Sequence, residues 1–281
     1  MRLLSNLFLL VLFIPVTACS KAMPIDSKAE QKEIIHNCQI LYTEVKKGRI
    51  NEVKKLIKEK TQKNQLTCIK YAIQQKDTTG NKKQFQAFRY LVEVLIKMKL
   101  PDQQNTLTKV LQDYAIVYLA EMPEYTEYLL STGALPKMPN KYGKLPVATA
   151  LWAANDHGSC KTPRLLINAS NSKILSVQNK AGETALMQSV DKGLICSNEL
   201  KLLAKKSADL NLVDQYGNTA LHYLLMQMNK NMGNNDEYIF PSDIDVLHIL
   251  LNRGASTQIP NKKSITPAQL LHKLKKKGCK C

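Results

Sequence analysis

The sequence is poor in acid, in aromatic side chains and in long apolar runs. Asp and Glu total 23 against 40 Lys and Arg, which leaves a formal net charge of +17. There is one Trp, and aromatic residues make up 6% of the chain. The apolar run at residues 7–14 (LFLLVLFI) falls well short of the about 20 residues a bilayer-spanning helix needs. No G-x-S-x-G, H-E-x-x-H, P-loop or dinucleotide Gly motif occurs. The commonest readable routes to hydrolysis, metal-assisted peptide cleavage and nucleotide chemistry are therefore absent. The five histidines (His36, His157, His222, His248 and His272) are scattered. His157-Gly158-Ser159-Cys160 brings reactive residue types together, but Cys160 has a better structural use. The expectation is a chain without catalysis and without a cofactor.

What is present begins at the N-terminus. Arg2, the apolar run and small residues before Cys19 have the charge, core and exit of a signal peptide over residues 1–18. Val16-Thr17-Ala18-Cys19 resembles the lipobox of bacterial lipoproteins. That resemblance implies cleavage before Cys19 and acylation of its sulfur and amine, followed by a lipidated linker over 19–29. Several acyl chains anchor durably where one holds marginally. Ser20 after the anchor implies outer-membrane sorting, with the chain facing the periplasm; the inner membrane and the cell surface stay open. Cleavage removes only one charge, Arg2. Lysines come in runs: Lys46-Lys47, Lys54-Lys55, Lys262-Lys263 and Lys275-Lys276-Lys277. They fit an acidic protein partner or an anionic membrane, and equally a solvated surface. Export disfavours nucleic acid.

Repeats organise the rest. Asn140-Lys141-Tyr142-Gly143, Asn179-Lys180-Ala181-Gly182, Asp214-Gln215-Tyr216-Gly217 and Asn261-Lys262-Lys263-Ser264 are four copies of one turn. Thr184-Ala185-Leu186, Thr219-Ala220-Leu221-His222 and Thr266-Pro267-Ala268 follow three of them, and Leu145-Pro146-Val147 the first. Asn or Asp caps its own turn, Gly suits the fourth position, and Thr N-caps a helix whose next position tolerates Pro. The fourth-position intervals are 39, 35 and 47 residues. These strings resemble the ankyrin-repeat family, most closely Ala208 to His222, with its roughly 33-residue period. The expected fold is an all-α solenoid of stacked helix pairs with short hairpin loops. Clear repeats are placed at 136–274, degenerate pairs at 30–135 and a basic Cys-containing tail at 275–281. Residues 229–240 read as a polar insertion between the helices of one repeat.

Beyond Cys19, six cysteines remain, and an even count in an exported chain points to disulfides, with fifteen pairings open. Cys38 and Cys68 are read near the starts of first helices, and Cys160 and Cys196 between the helices of neighbouring repeats. Equivalent positions stack, so Cys38–Cys68 and Cys160–Cys196 are expected, leaving Cys279–Cys281. A mixed disulfide with a partner is an alternative for the tail. A metal there is disfavoured, because C-x-C without a nearby His is poor ligand spacing.

The ankyrin resemblance also implies which positions bind: hairpin tips, the residue after the turn Gly, and the end of the first helix. These are Lys141, Tyr142, Lys144, Trp152, Lys180, Lys192, Tyr216, Met226 and Lys262. Trp152 is read as either interface or core. The partner is another protein with an acidic or mixed surface, and the membrane is reached through the lipid. Within that class the chain looks like lipoprotein immunity proteins that neutralise exported toxins. The alternative is a periplasmic scaffold, or a protector of an envelope or oxidative-stress enzyme. A third possibility is an enzyme with its site in the 229–240 insertion.

Overall fold

The computed structural model describes residues 28–59, 62–74, 82–99, 102–115, 123–140, 142–190, 196–232, 239–279 and 281. Cys19, the leader and most of the linker, Lys141, Lys192 and residues 233–238 lie outside these. The described residues are helical, with no strand among them. None of their helices is long and apolar enough to cross a membrane.

The chain divides into two compact units, Met1–Lys97 and Met98–Cys281. In the first, α1 (Lys28–Lys46) pairs with α2 (Ile50–Lys58), and α3 (Gln62–Gln74) with α4 (Lys82–Lys97). Ile34, Cys38, Leu41 and Val45 form a buried stripe at helical spacing along α1. First helix packs on first helix and second on second. The α1–α2 corner turns at Gly48, whose φ is +65° and whose added Cβ would fall 2.6 Å from Lys83 Cβ. Gln84 Nε2 donates to Lys46 O at 2.6 Å and so satisfies an orphan carbonyl at the end of α1. Cys38 and Cys68 are bonded, with Cα atoms 4.4 Å apart. Both sit in mid-helix and buried, not near helix starts as expected. Stripe position, rather than proximity to a turn, brings them together.

The second unit stacks further pairs: α5 (Gln103–Ala115) with α6 (Pro123–Ser131), α7 (Pro146–His157) with α8 (Lys161–Ala169), and, after the short α9 (Ser172–Leu175), α10 (Ala185–Ser189) with α11 (Ser197–Lys206). Then come α12 (Ala220–Asn231) with α13 (Pro241–Asn252), and α14 (Pro267–Lys276). First helices α5, α7, α10, α12 and α14 contact in order, as do second helices α6, α8, α11 and α13. Each pair thus borrows a wall from its neighbour, as repeat folds require.

The helix corners are sealed across repeats by basic side chains. Lys206 Nζ donates to Ile167 O at 2.8 Å. Arg253 donates to Ala204 O and Ser207 O, each at 2.7 Å. Lys277 Nζ reaches Asn229 O at 2.8 Å. These cations are spent on carbonyls at or near helix ends, where the helix dipole also favours them. Lys277, read in sequence as part of an exposed run, is one of them.

Asn229 corrects the expected insertion. Helix α12 continues to Asn231, and Asn229 is buried, its Nδ2 donating to Leu225 O at 2.9 Å and Leu270 O at 3.0 Å. An amide whose nitrogen makes two bonds can hold a core position, so polarity alone placed the boundary too early. At the far side of the insertion, Asp243 is buried in the first turn of α13, and burial raises its pKa from 3.8 to about 6. A folded-state pKa above the unfolded value means the contribution is favourable below about pH 4 and is lost as pH rises to about 6. Asp243→Asn is therefore expected to stabilise the protein at pH 7 by on the order of 1 kcal/mol. Urea melts at pH 4 and pH 7 check it: the gain should shrink toward zero at pH 4.

Candidate protein-interaction face

The four turns repeat atom by atom. Asn140 Oδ1 accepts from Tyr142 N and Lys144 N, and Asn179 Oδ1 from Ala181 N and Glu183 N. Asp214 Oδ1 accepts from Tyr216 N and Asn218 N, and Asn261 Oδ1 from Lys263 N and Ile265 N. Each closes with a backbone bond from the first residue to the fifth, at 2.8–3.0 Å. The fourth residue is left-handed in every copy: Gly143, Gly182 and Gly217 at φ 73°, 78° and 77°, and Ser264 at 58°. Serine bears a cost there that glycine does not. Ser264→Gly is expected to raise unfolding free energy by about 0.5–1 kcal/mol, read as a higher urea midpoint at unchanged slope.

The turns are tied edge to edge. Asn179 Nδ2 donates to Gly143 O at 2.6 Å, Gln215 N to Ala181 O at 2.8 Å, and Lys262 N to Tyr216 O at 2.9 Å. Asn261 Nδ2 donates to Asn218 Oδ1 at 2.9 Å, so Asn218, after its turn Gly, is buried and structural. Thr184, Thr219 and Thr266 cap α10, α12 and α14. Leu145 occupies that place at α7 and has no hydroxyl. Ala148, three residues on, has no side chain to reach back to the Leu145 N–H as Met187, His222 and Gln269 do for their caps; Gln188 from the next repeat takes over this second job. Its Oε1 accepts from Leu145 N at 2.9 Å and its Nε2 donates to Gly143 O at 2.9 Å. His222 is buried. Its Nδ1 accepts from Thr219 N at 3.1 Å, so Nε2 carries the proton that faces Ile265 O at 3.1 Å. Burial lowers its pKa. It is a structural strut between repeats.

Of the residues assigned to binding, those described fall on this row or beside it. Tyr142 and Tyr216 are 63% and 59% exposed, and Lys180 and Lys262 are exposed. Trp152 is 42% exposed, with Lys144 Nζ 5.2 Å from its ring centroid. That places Trp152 at the surface in a cation–π pair rather than in the core. Met226 is half-buried on α12. No sequence signal marked the Lys144–Trp152 pairing, which joins a turn to the helix that follows it.

Away from the turns, Cys160 and Cys196 N-cap α8 and α11 and are bonded, with Cα atoms 5.5 Å apart. Buried Glu199 brings a carboxylate oxygen within 4.8 Å of both sulfurs. The bond leaves no thiolate to ligate a metal, and Arg164 Nε donates to Glu199 at 2.8 Å. A cavity beside this pair, lined by Arg164, Asn198, Glu199, Lys201 and Lys205, is partly neutralised by Glu199 in its wall and by Asp245, which pairs with Lys201 at 3.1 Å. Cys279 is bonded to Cys281.

Comparison with known proteins agrees with this geometry. Residues 150–261 match the family model for ankyrin repeats in 3 copies. A putative ankyrin repeat protein of Acanthamoeba polyphaga mimivirus is 31% identical over 100 residues. The match covers 36% of this chain and 21% of that relative. The repeats make this part of the chain a protein–protein interaction module.

Proposed function

We propose that the chain is a lipid-anchored periplasmic protein that binds another protein through the turn row and Trp152, without catalysis of its own, and that its partner is an exported toxin it neutralises. The observation that carries the binding face is the row itself: Tyr142, Tyr216 and Trp152 are exposed on a backbone held rigid by repeat-to-repeat bonds. Exposed aromatics on a rigid frame bind with little ordering cost, and Tyr and Trp are over-represented in interface hot spots. Export and tether rest on Val16-Thr17-Ala18-Cys19, and the bonded cysteine pairs fit an oxidising compartment.

The test uses the soluble chain starting at Ser20 and the product of any neighbouring toxin gene. Binding, and protection of cells by the full-length chain, are the expected results. Absence of both would remove the immunity reading. A partner that is a housekeeping envelope enzyme would replace it with the scaffold reading. The tether is tested separately: Cys19→Ser should move the chain from the membrane to the soluble fraction.

A further inference from the structure

We infer that the turn row takes an extended acidic segment that seats one apolar side chain over Ala181, between Tyr142 and Tyr216; this rests on the row being the binding face. Tyr142, Ala181, Tyr216 and Lys263 occupy the same place in successive turns, the third residue of each. The bonds from Gln215 N to Ala181 O and from Lys262 N to Tyr216 O keep the last three turns in register, and Asn179 Nδ2 to Gly143 O ties the first turn to the second. Large, small, large is therefore the profile along the row, and Ala181 is the floor of a notch with a tyrosine on either side. Each turn is two chain segments wide, about 10 Å, so the two tyrosines stand about 20 Å apart, the reach of about six extended residues.

Charge selects the segment. Lys180, Lys262 and Lys263 are exposed, and Lys144 stands over Trp152. The carboxylates of these turns are turned to internal work. Asp214 accepts from Tyr216 N, Asn218 N and Tyr223 Oη, and Glu183 accepts from Asn179 and Gln188. Among the described residues of the four turns, no exposed carboxylate offsets the lysines. An acidic segment meets Lys180 in the notch and Lys262 and Lys263 just beyond Tyr216, whereas a basic one meets these lysines as repulsion.

The test is anisotropy of a fluorescein-labelled octapeptide, Glu-Asp-Glu-Phe-Glu-Asp-Glu-Glu, titrated with the chain from Ser20 at low salt. Saturable binding that weakens with added salt is expected, with none for the version carrying Lys at every acidic position. Replacing Phe by Gly, or introducing Lys180→Glu, should weaken binding about tenfold, and Ala181→Trp should abolish it. All of these side chains are at the surface, so melting temperatures should hold. Equal affinity for acidic and basic peptides, no saturation with the acidic peptide, or an unaffected Ala181→Trp overturns the inference. A captured protein partner separates the two levels. If it is lost on Tyr216→Ala but kept by Ala181→Trp and Lys180→Glu, the face stands and the acidic segment falls. If it is kept by all three, the face falls as well.

Discussion

Gly182→Val is expected to destabilise the second unit by about 2–6 kcal/mol, the sum of two separate costs. The first is conformational: φ is +78°, where a β-branched residue is strained by about 1–3 kcal/mol. The second is steric. A Cβ at Gly182 meets Asp214 Cα at 3.0 Å, Asp214 C at 3.2 Å and Gln215 N at 3.2 Å, all backbone. No flexible side chain can move aside, so the next turn must shift, at a further cost of about 1–3 kcal/mol. The same shift would break Gln215 N to Ala181 O, a bond of the binding row. Gly254 separates the two costs: its φ is +82° but nothing lies within 4 Å of an added Cβ. Gly254→Ala should therefore cost only about 1 kcal/mol. Urea melts followed by helix signal check both, and equal losses at the two positions would contradict the steric account.

The second large effect is at the Cys160–Cys196 bridge, which closes a loop with a sequence separation of 36. Constraint of the unfolded chain over a loop of that size is worth about 4 kcal/mol, and the bridge joins the N-caps of adjacent second helices, α8 and α11. Replacing both cysteines by Ala should lower unfolding free energy by about that amount, together with a lower midpoint in urea. The Cys279–Cys281 bond has a sequence separation of 2. It constrains only the chain end, and its loss should cost about 1 kcal/mol or less. If the two losses are alike, loop size is not what makes the first bridge stabilising.

What could be read in the sequence follows the range of the interactions. Asn140, Asn179, Asp214 and Asn261 cap their own turns within five residues, so spacing alone revealed them. Ser264 was legible for the same reason: it stands where three copies have Gly, and the structure holds it left-handed. Gln188 was not legible, because it satisfies the Leu145 N–H from 43 residues away. Asn229 was misjudged because the bond that buries it goes to Leu270 in the next first helix. Lys277 was read only as part of a charged run, and Lys206 and Arg253 carried no signal of their own; only the stacked neighbour shows the carbonyls these three hold. In the first unit the turn signature is absent, yet its first and second helices stack as they do in the second unit. Apolar stripes such as Ile34, Cys38, Leu41 and Val45 carried that signal without help from turns.

The binding face is tested most directly by comparing two sets of variants against one captured partner. One set carries Tyr142→Ala, Trp152→Ala and Tyr216→Ala on the turn row; the other carries Lys161→Ala, Asn198→Ala and Lys205→Ala on exposed positions of α8 and α11. Equilibrium affinity should fall by about 100-fold for the first triple variant, as loss of clustered aromatic anchors implies, and stay within about twofold for the second. Equal losses, or a loss confined to the second set, would contradict the account.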